Sequence, residues 1–272
     1  MTPPVASTLT VGTGPEARDI AILKRGGRAP GIVWLGGFKS DMTGTKAAAL
    51  DTWALETGRA FTRFDYSGHG ASGGRFDDGT ISRWLEESLA VFERETAGDQ
   101  ILVGSSMGGW IALLLARAER AKAGAASRVR GMVLIAPAPD FTERLMWARF
   151  PEAVRAEILD KGVWSQPSPY ADEPYRITRA LIEDGRRNLL MDGPIETGCP
   201  VTILQGVKDE DVPWRHAVDL VTCLARDDVV LTLVKDGDHR LSRPEDLKRL
   251  LDAVEALATG AEGLPSPAER LP

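Results

Sequence analysis

The stretch Val103-Gly104-Ser105-Ser106-Met107-Gly108-Gly109-Trp110 decides how this chain reads. The apolar run Ile101-Leu102-Val103 leads into it, and Trp110, Leu113, Leu114 and Ala116 begin a long Ala/Leu helix after it. Strand, sharp turn and helix is the context in which Gly-x-Ser-x-Gly lifts a serine, here Ser106, to the C-terminal edge of a sheet. Small residues at 104 and 108 let strand and helix approach closely, and the helix start offers N–H groups, that of Met107 first, to a developing oxyanion. The pattern alone is weak. A glycine-rich turn can simply pack well, and 28 glycines make a chance match easier. The reading therefore depends on partners elsewhere in the chain.

Composition narrows the search. The chain has 272 residues, 43% hydrophobic and 26% charged, enough for one large α/β domain with a substantial core. A net charge of −6 without a long run of one sign argues against a nucleic-acid partner. Cys199 and Cys223 make neither a disulfide framework nor a metal motif, so a reducing, cytoplasmic location is expected. No apolar stretch approaches the roughly 18 residues of a membrane span. The start, Met1-Thr2-Pro3-Pro4-Val5, lacks the basic and apolar regions of a signal peptide.

Upstream of the elbow, residues 9–23 read as two paired strands broken at Gly12-Thr13-Gly14-Pro15. Ile32-Val33-Trp34-Leu35 is a continuous apolar run, as in a strand buried on both faces, and Gly36-Gly37-Phe38-Lys39-Ser40 is the loop after it. A helix is expected at 46–55, closed by Gly58, then a strand at 60–66 and a glycine loop around His69. Ile81, Trp84, Leu85, Leu89 and Phe92 recur at helical spacing. Downstream, Met132-Val133-Leu134-Ile135-Ala136 and Val201-Thr202-Ile203-Leu204 read as strands, followed by a helix at 213–224 and a strand at 229–234. Ser242 with Glu245 predicts a capping box for a last helix ending at Gly260, and residues 261–272 read as a frayed tail. Alternating strands and helices predict a mostly parallel sheet with helices on both faces.

Residues 137–190 break this rhythm. No strand is legible there, Pro151, Pro167, Pro169 and Pro174 punctuate the run, and short helices are expected at 152–159 and 176–183. The stretch is too long for an ordinary connection. Phe141, Leu145, Met146, Trp147, Phe150, Val163, Trp164, Tyr170 and Tyr175 make it too apolar for disorder. It reads as a cap inserted at about 138–190 in a single domain spanning 1–272, with Trp147 and Trp164 as the substrate-binding candidates. Arg144, Arg149, Arg176 and Arg179 form either a solvated face or, for one of them, a contact to an anionic leaving group.

A serine hydroxyl needs a base. The chain has three histidines. His239 directly follows the strand at 229–234, which places it at the same sheet edge as Ser106. His69 also lies at that edge but precedes the nucleophile, against the order Ser, acid, His expected of an elbow enzyme. His216 falls inside a predicted helix, where a surface position is expected. The acid comes from Gln205-Gly206-Val207-Lys208-Asp209-Glu210-Asp211-Val212-Pro213, with Asp209 and Asp211 both candidates and Asp211 better placed to cap the next helix. The second oxyanion donor is expected from the loop after the 32–35 strand, with Phe38 N–H as the candidate; its ring also reads as an aromatic lining the pocket, and both can hold. No metal or organic cofactor is implied.

In this order the residues resemble the α/β-hydrolase superfamily. There Gly-x-x-Asp-x-x-Val-Pro carries the triad acid, and it matches Gly206 through Pro213, which favours Asp209. Phe64-Asp65-Tyr66-Ser67-Gly68-His69-Gly70 resembles the family's loop whose histidine is structural. Met42-Thr43-Gly44-Thr45-Lys46-Ala47, Val103-Gly104-Ser105-Ser106, Gly162-Val163-Trp164-Ser165 and Asp238-His239-Arg240 are similar to abhydrolase-domain palmitoyl-protein thioesterases, also described as acyl-glucuronide esterases. The resemblance implies a serine hydrolase that cleaves small-molecule or acylated-protein esters and thioesters through an acyl-enzyme. Among rivals on this fold, dehalogenases and epoxide hydrolases need an Asp nucleophile where this chain has Ser106. A cofactor-free perhydrolase shares the triad, and a non-catalytic binding protein would have lost one of its members.

Overall fold

The apolar runs become strands of one sheet because helices cover both of its faces. The computed structural model describes residues 3–166 and 175–262. In chain order they form β1 (Val5–Val11), β2 (Arg18–Arg25), β3 (Arg28–Leu35), α1 (Thr45–Thr57), β4 (Arg59–Phe64), α2 (Ile81–Glu95), β5 (Gln100–Ser105), α3 (Met107–Ala123) and β6 (Val129–Ile135). These are followed by α4 (Glu152–Lys161), β7 (Val163–Gln166), β8 (Tyr175–Thr178), α5 (Arg179–Arg187), β9 (Val201–Gly206), α6 (Trp214–Cys223), β10 (Val229–Val234) and α7 (Pro244–Glu262). The main sheet runs β1-β2-β4-β3-β5-β6-β9-β10. The β1–β2 hairpin joins antiparallel to β4, and the remaining neighbours are parallel, as expected for an α/β fold.

Alternation along each strand divides the core. Val33, Leu35, Leu102, Met132, Leu134 and Ile203 face α2, α3 and α6. Ile32, Trp34, Ile101, Val103, Val133, Ile135 and Leu204 face α1 and α7, where Leu50, Trp53, Leu250 and Val254 meet them. The helix behind the elbow is buried at every position 107–116, as its Ala/Leu composition demands. α1 closes at Gly58 in the left-handed region, as the sequence predicts. Among the described residues no helix is long and apolar enough to cross a membrane.

Three local expectations need correction. The stretch between β6 and β9 does contain strands, since β7 and β8 pair antiparallel, Val163 to Thr178 and Trp164 to Ile177. Four residues each are too few to show a period of two. The helix expected from 176 starts at Arg179, because Thr178 ends β8 and its Oγ1 accepts the Leu181 N–H at 3.1 Å. The capping box at Ser242 does not form. Pro244 occupies the first turn, Asp246 accepts the Arg243 N–H at 3.3 Å, and the helix runs past Gly260 to Glu262. The readings of Pro167, Pro169, Tyr170, Pro174 and the tail beyond Glu262 fall outside the described residues.

The stretch between β6 and β9 packs around its own small core of Ile158, Ile177 and Ile182, with Met146, Trp147, Phe150, Val154, Trp164 and also Phe38 against it. It is anchored at both ends. Buried Asp140 accepts the N–H groups of Leu190 and Met191 at 2.8 Å each, and Trp110 Nε1 donates to the Asn188 carbonyl at 3.1 Å.

Candidate active site

Ser106 sits between β5 and α3 with φ 55° and ψ −118°, a left-handed conformation that a serine adopts only where its surroundings fix it. Its N–H donates to the Ile135 carbonyl at 2.9 Å, and its own carbonyl accepts from Gly109 at 2.9 Å and Ala138 at 3.1 Å. Side-chain-free positions make the turn possible. A Cβ on Gly108 would strike the Leu35 carbonyl, and one on Gly104 the Gly108 carbonyl. Gly108→Ala is therefore expected to lower stability by about 2 kcal/mol or more, read as a lower melting temperature. Ser105 is buried within β5, whereas Ser106 is partly open.

The loops after β9 and β10 bring the other two groups to this edge. They touch at Gly206, where a Cβ would come within 2.5 Å of the Gly237 and Asp238 carbonyls. His239 Nδ1 lies 2.8 Å from Asp209 Oδ2, and Nε2 lies 3.1 Å from Ser106 Oγ. A proton on Nδ1 donated to the carboxylate leaves Nε2 as acceptor for the serine hydroxyl. Asp209 has no side-chain exposure and receives four donors. Oδ1 accepts the N–H groups of Asp211 at 3.0 Å and Val212 at 2.8 Å, and Oδ2 accepts Gln205 Nε2 at 3.1 Å beside His239. Asp209, Asp211 and His239 are also the described residues with metal-ligand spacing, each offering an atom within 4.8 Å of the others. Four hydrogen bonds already commit the Asp209 oxygens and fix the carboxylate as an acceptor for His239.

Asp211 gives its N–H to Asp209 and does not cap α6, whose first-turn cap position is Pro213 with no side-chain bond. The other histidines are structural. His69 Nε2 accepts the Lys39 N–H at 3.1 Å and Nδ1 meets the Ser67 carbonyl at 3.2 Å, so both nitrogens are occupied; burial pushes its pKa down to about 4. His216 is buried, not at the surface, because α6 turns that face inward, where Nε2 meets the Pro139 carbonyl at 2.9 Å. Desolvation lowers its pKa as well.

The loop after β3 passes close to the serine. A Cβ on Gly37 would lie 3.5 Å from Ser106 Cβ, and the turn is tightened by Ser40 Oγ donating to the Gly37 carbonyl at 2.8 Å. Phe38 follows, its ring edge-on to Phe76 at 4.9 Å and tilted to Phe141 at 5.8 Å. Met107 opens α3, where the first N–H groups have no acceptor within the helix. Trp147 and Trp164 pack, with Phe38, against the small core of Ile158, Ile177 and Ile182. Trp147 lies under Arg186 at 4.7 Å, and Trp164 is edge-on to Phe150 at 5.2 Å. Of the four arginines, Arg144 pairs with Asp140 and Asp192, Arg176 with Asp77 and Arg179 with Glu183. Arg149 instead reaches the Asp211 carbonyl at 3.4 Å, beside the triad-like cluster.

Sequence reading missed Gln205 and Asp65. Gln205 is a fully buried amide at the end of an apolar strand, and that position was its only signal. Asp65 accepts Met42 N–H at 2.7 Å and Ala71 N–H at 2.8 Å, tying the loop after β3 to the glycine loop. Burial raises its pKa.

Fold and site together define an α/β hydrolase. The profile of the α/β hydrolase family matches residues 26–250, and the chain belongs to that family. It is 35% identical over 248 residues to the bovine mitochondrial palmitoyl-protein thioesterase ABHD10, covering 89% of this chain and 78% of that protein. The crystal structure of a protein from Agrobacterium vitis S4 superposes with a TM-score of 0.91 at 54% identity, covering 94% of this chain and all of that one (100%). The α/β hydrolase domain-containing protein 10 of mouse superposes with a TM-score of 0.83 at 34% identity, covering 94% and 99% of the two chains.

Proposed function

We propose that Ser106, His239 and Asp209 are the catalytic triad of a hydrolase that cleaves carboxylic esters and thioesters. The carrying observation is the continuous hydrogen-bonded chain from Asp209 through His239 to Ser106 at the strained elbow. Ser106 Oγ attacks the acyl carbonyl while His239 Nε2 takes its proton. The Met107 and Phe38 N–H groups hold the oxyanion. His239 returns the proton to the departing alcohol or thiol, and water, deprotonated by the same nitrogen, releases the acid from Ser106. Asp209 holds the imidazole tautomer and offsets the charge it gains.

The named activity of the ABHD10 relatives supports long-chain acyl thioesters, including acylated proteins, as substrates. The apolar cluster of Phe38, Trp147 and Trp164 supports an acyl-binding role for the stretch between β6 and β9. The free thiols Cys199 and Cys223 fit a reducing, cytoplasmic setting. A panel of p-nitrophenyl esters, acyl thioesters and acyl glucuronides tests the assignment. Turnover of none of the three would sink it.

Two variant sets refine it. Asp209→Asn should lower kcat about 10²–10⁴-fold, because an amide there opposes the Gln205 and His239 donors; Asp211→Asn should retain most activity. Trp164→Ala should raise KM for long acyl chains more than for acetyl esters. Arg149→Ala should slow acyl-glucuronide turnover and spare neutral esters, since of the four arginines considered it is the one beside the acid loop. Equal effects on every substrate would reduce both residues to structural cover.

A further inference from the structure

The Met42–Ala47 motif plays no part in the mechanism above, yet Lys46 reaches from its place on α1 to the far end of the chain. Its Nζ donates to the Arg240 carbonyl at 2.5 Å and lies 3.3 Å from Ser242 Oγ. Arg240 is the residue after His239. That loop is held against its own backbone preference, since Leu241 has φ 43°, a region leucine rarely enters. Several contacts hold it there. Asp238 Oδ1 accepts the Leu241 N–H at 2.9 Å, Ser242 Oγ donates to the Arg240 carbonyl at 3.0 Å, and the Leu241 side chain is buried with Ile135, Leu204, Val234 and Leu250. The Asp238 contact spans His239 to reach the Leu241 N–H, and the Lys46 contact lands on the Arg240 carbonyl, directly after the histidine. The one from Lys46 comes from a different element and carries a charge.

We propose that Lys46 is a positioning residue for His239, fixing the Arg240 carbonyl from α1 so that the imidazole meets both Ser106 and Asp209. This rests on the triad reading above. The ammonium is poorly hydrated where it lies. Desolvation brings its pKa down to about 8, Arg240 adding to the fall while Asp238 and Asp246 oppose it. Arg249 lines the same site from α7. The charged donor is thus present below about pH 8 and lost above it, when a weaker neutral amine remains.

The test compares wild type, Lys46→Met and Lys46→Arg by ester kinetics across neutral and alkaline pH, by the rate of fluorophosphonate labelling and by thermal melting. Lys46→Met should lower kcat and the labelling rate together, by about tenfold to 10²-fold, with KM little changed. Lys46→Arg should recover most of kcat and lack the alkaline decline expected of wild type above about pH 8, because guanidinium stays charged. Wild-type kcat and labelling in Lys46→Met, or a lower melting temperature with unchanged kcat per folded molecule, would overturn the proposal. So would an unchanged alkaline decline in Lys46→Arg, which decides the matter even if Lys46→Met does not fold. Failure of the triad reading looks different, because His239→Ala would then still be labelled at the wild-type rate.

Discussion

Ser106→Ala should fold with wild-type stability and lose ester hydrolysis by about 10⁴-fold or more in kcat. The size of the effect follows from the role. Without the hydroxyl no acyl-enzyme forms, and the remaining N–H groups can only polarise a carbonyl that water attacks unaided. Stability should hold because alanine meets the same left-handed backbone at this position, and the contacts that fix the turn, Ser106 N–H to Ile135 and the Ser106 carbonyl to Gly109 and Ala138, are all main-chain. Ser105→Ala supplies the internal comparison. Its side chain is buried in β5, so it should keep most activity. A dead Ser105→Ala beside an active Ser106→Ala would move the nucleophile by one residue, onto the other face of the strand. Kinetics on a p-nitrophenyl ester and a calorimetric melt read both outcomes.

His239→Ala should lose as much as Ser106→Ala, and the double variant should lose no more, because base and nucleophile act in one step. The imidazole is the one group within hydrogen-bonding distance of both Ser106 and Asp209 among the described contacts. His69→Ala should behave differently. It removes the brace on Lys39 N–H and so disturbs the Phe38 loop, but leaves the base in place. Residual activity in His239→Ala above about a hundredth of wild type would assign the base elsewhere.

Features coded by short runs of sequence were legible. The elbow announced itself through Gly104, Ser106 and Gly108 between an apolar run and an Ala/Leu helix, and the exits of β9 and β10 placed Asp209 and His239 at the same edge. Family motifs, rather than spacing, separated Asp209 from Asp211. The misses share a physical cause. β7 and β8 are too short for a readable period, and their pairing depends on each other rather than on local propensity. Ser242 looked like a cap because its spacing to Glu245 is correct, yet its hydroxyl bonds backward to Arg240, and Pro244 sets the helix start. His216 lies on the covered face of α6, which helical position alone does not reveal. Lys46 and Arg240 lie 194 residues apart, and Gln205 meets Asp209 only once the chain turns after β9. Tertiary contacts of this kind leave no local pattern.

If Ser106 carries the acyl group, reaction of the protein with a fluorophosphonate, followed by digestion and peptide sequencing, locates the added mass there. One adduct per chain is expected, on Ser106 and not on Ser105, absent from His239→Ala over the same interval. An adduct on another residue, or none while esters are still hydrolysed, would contradict that role.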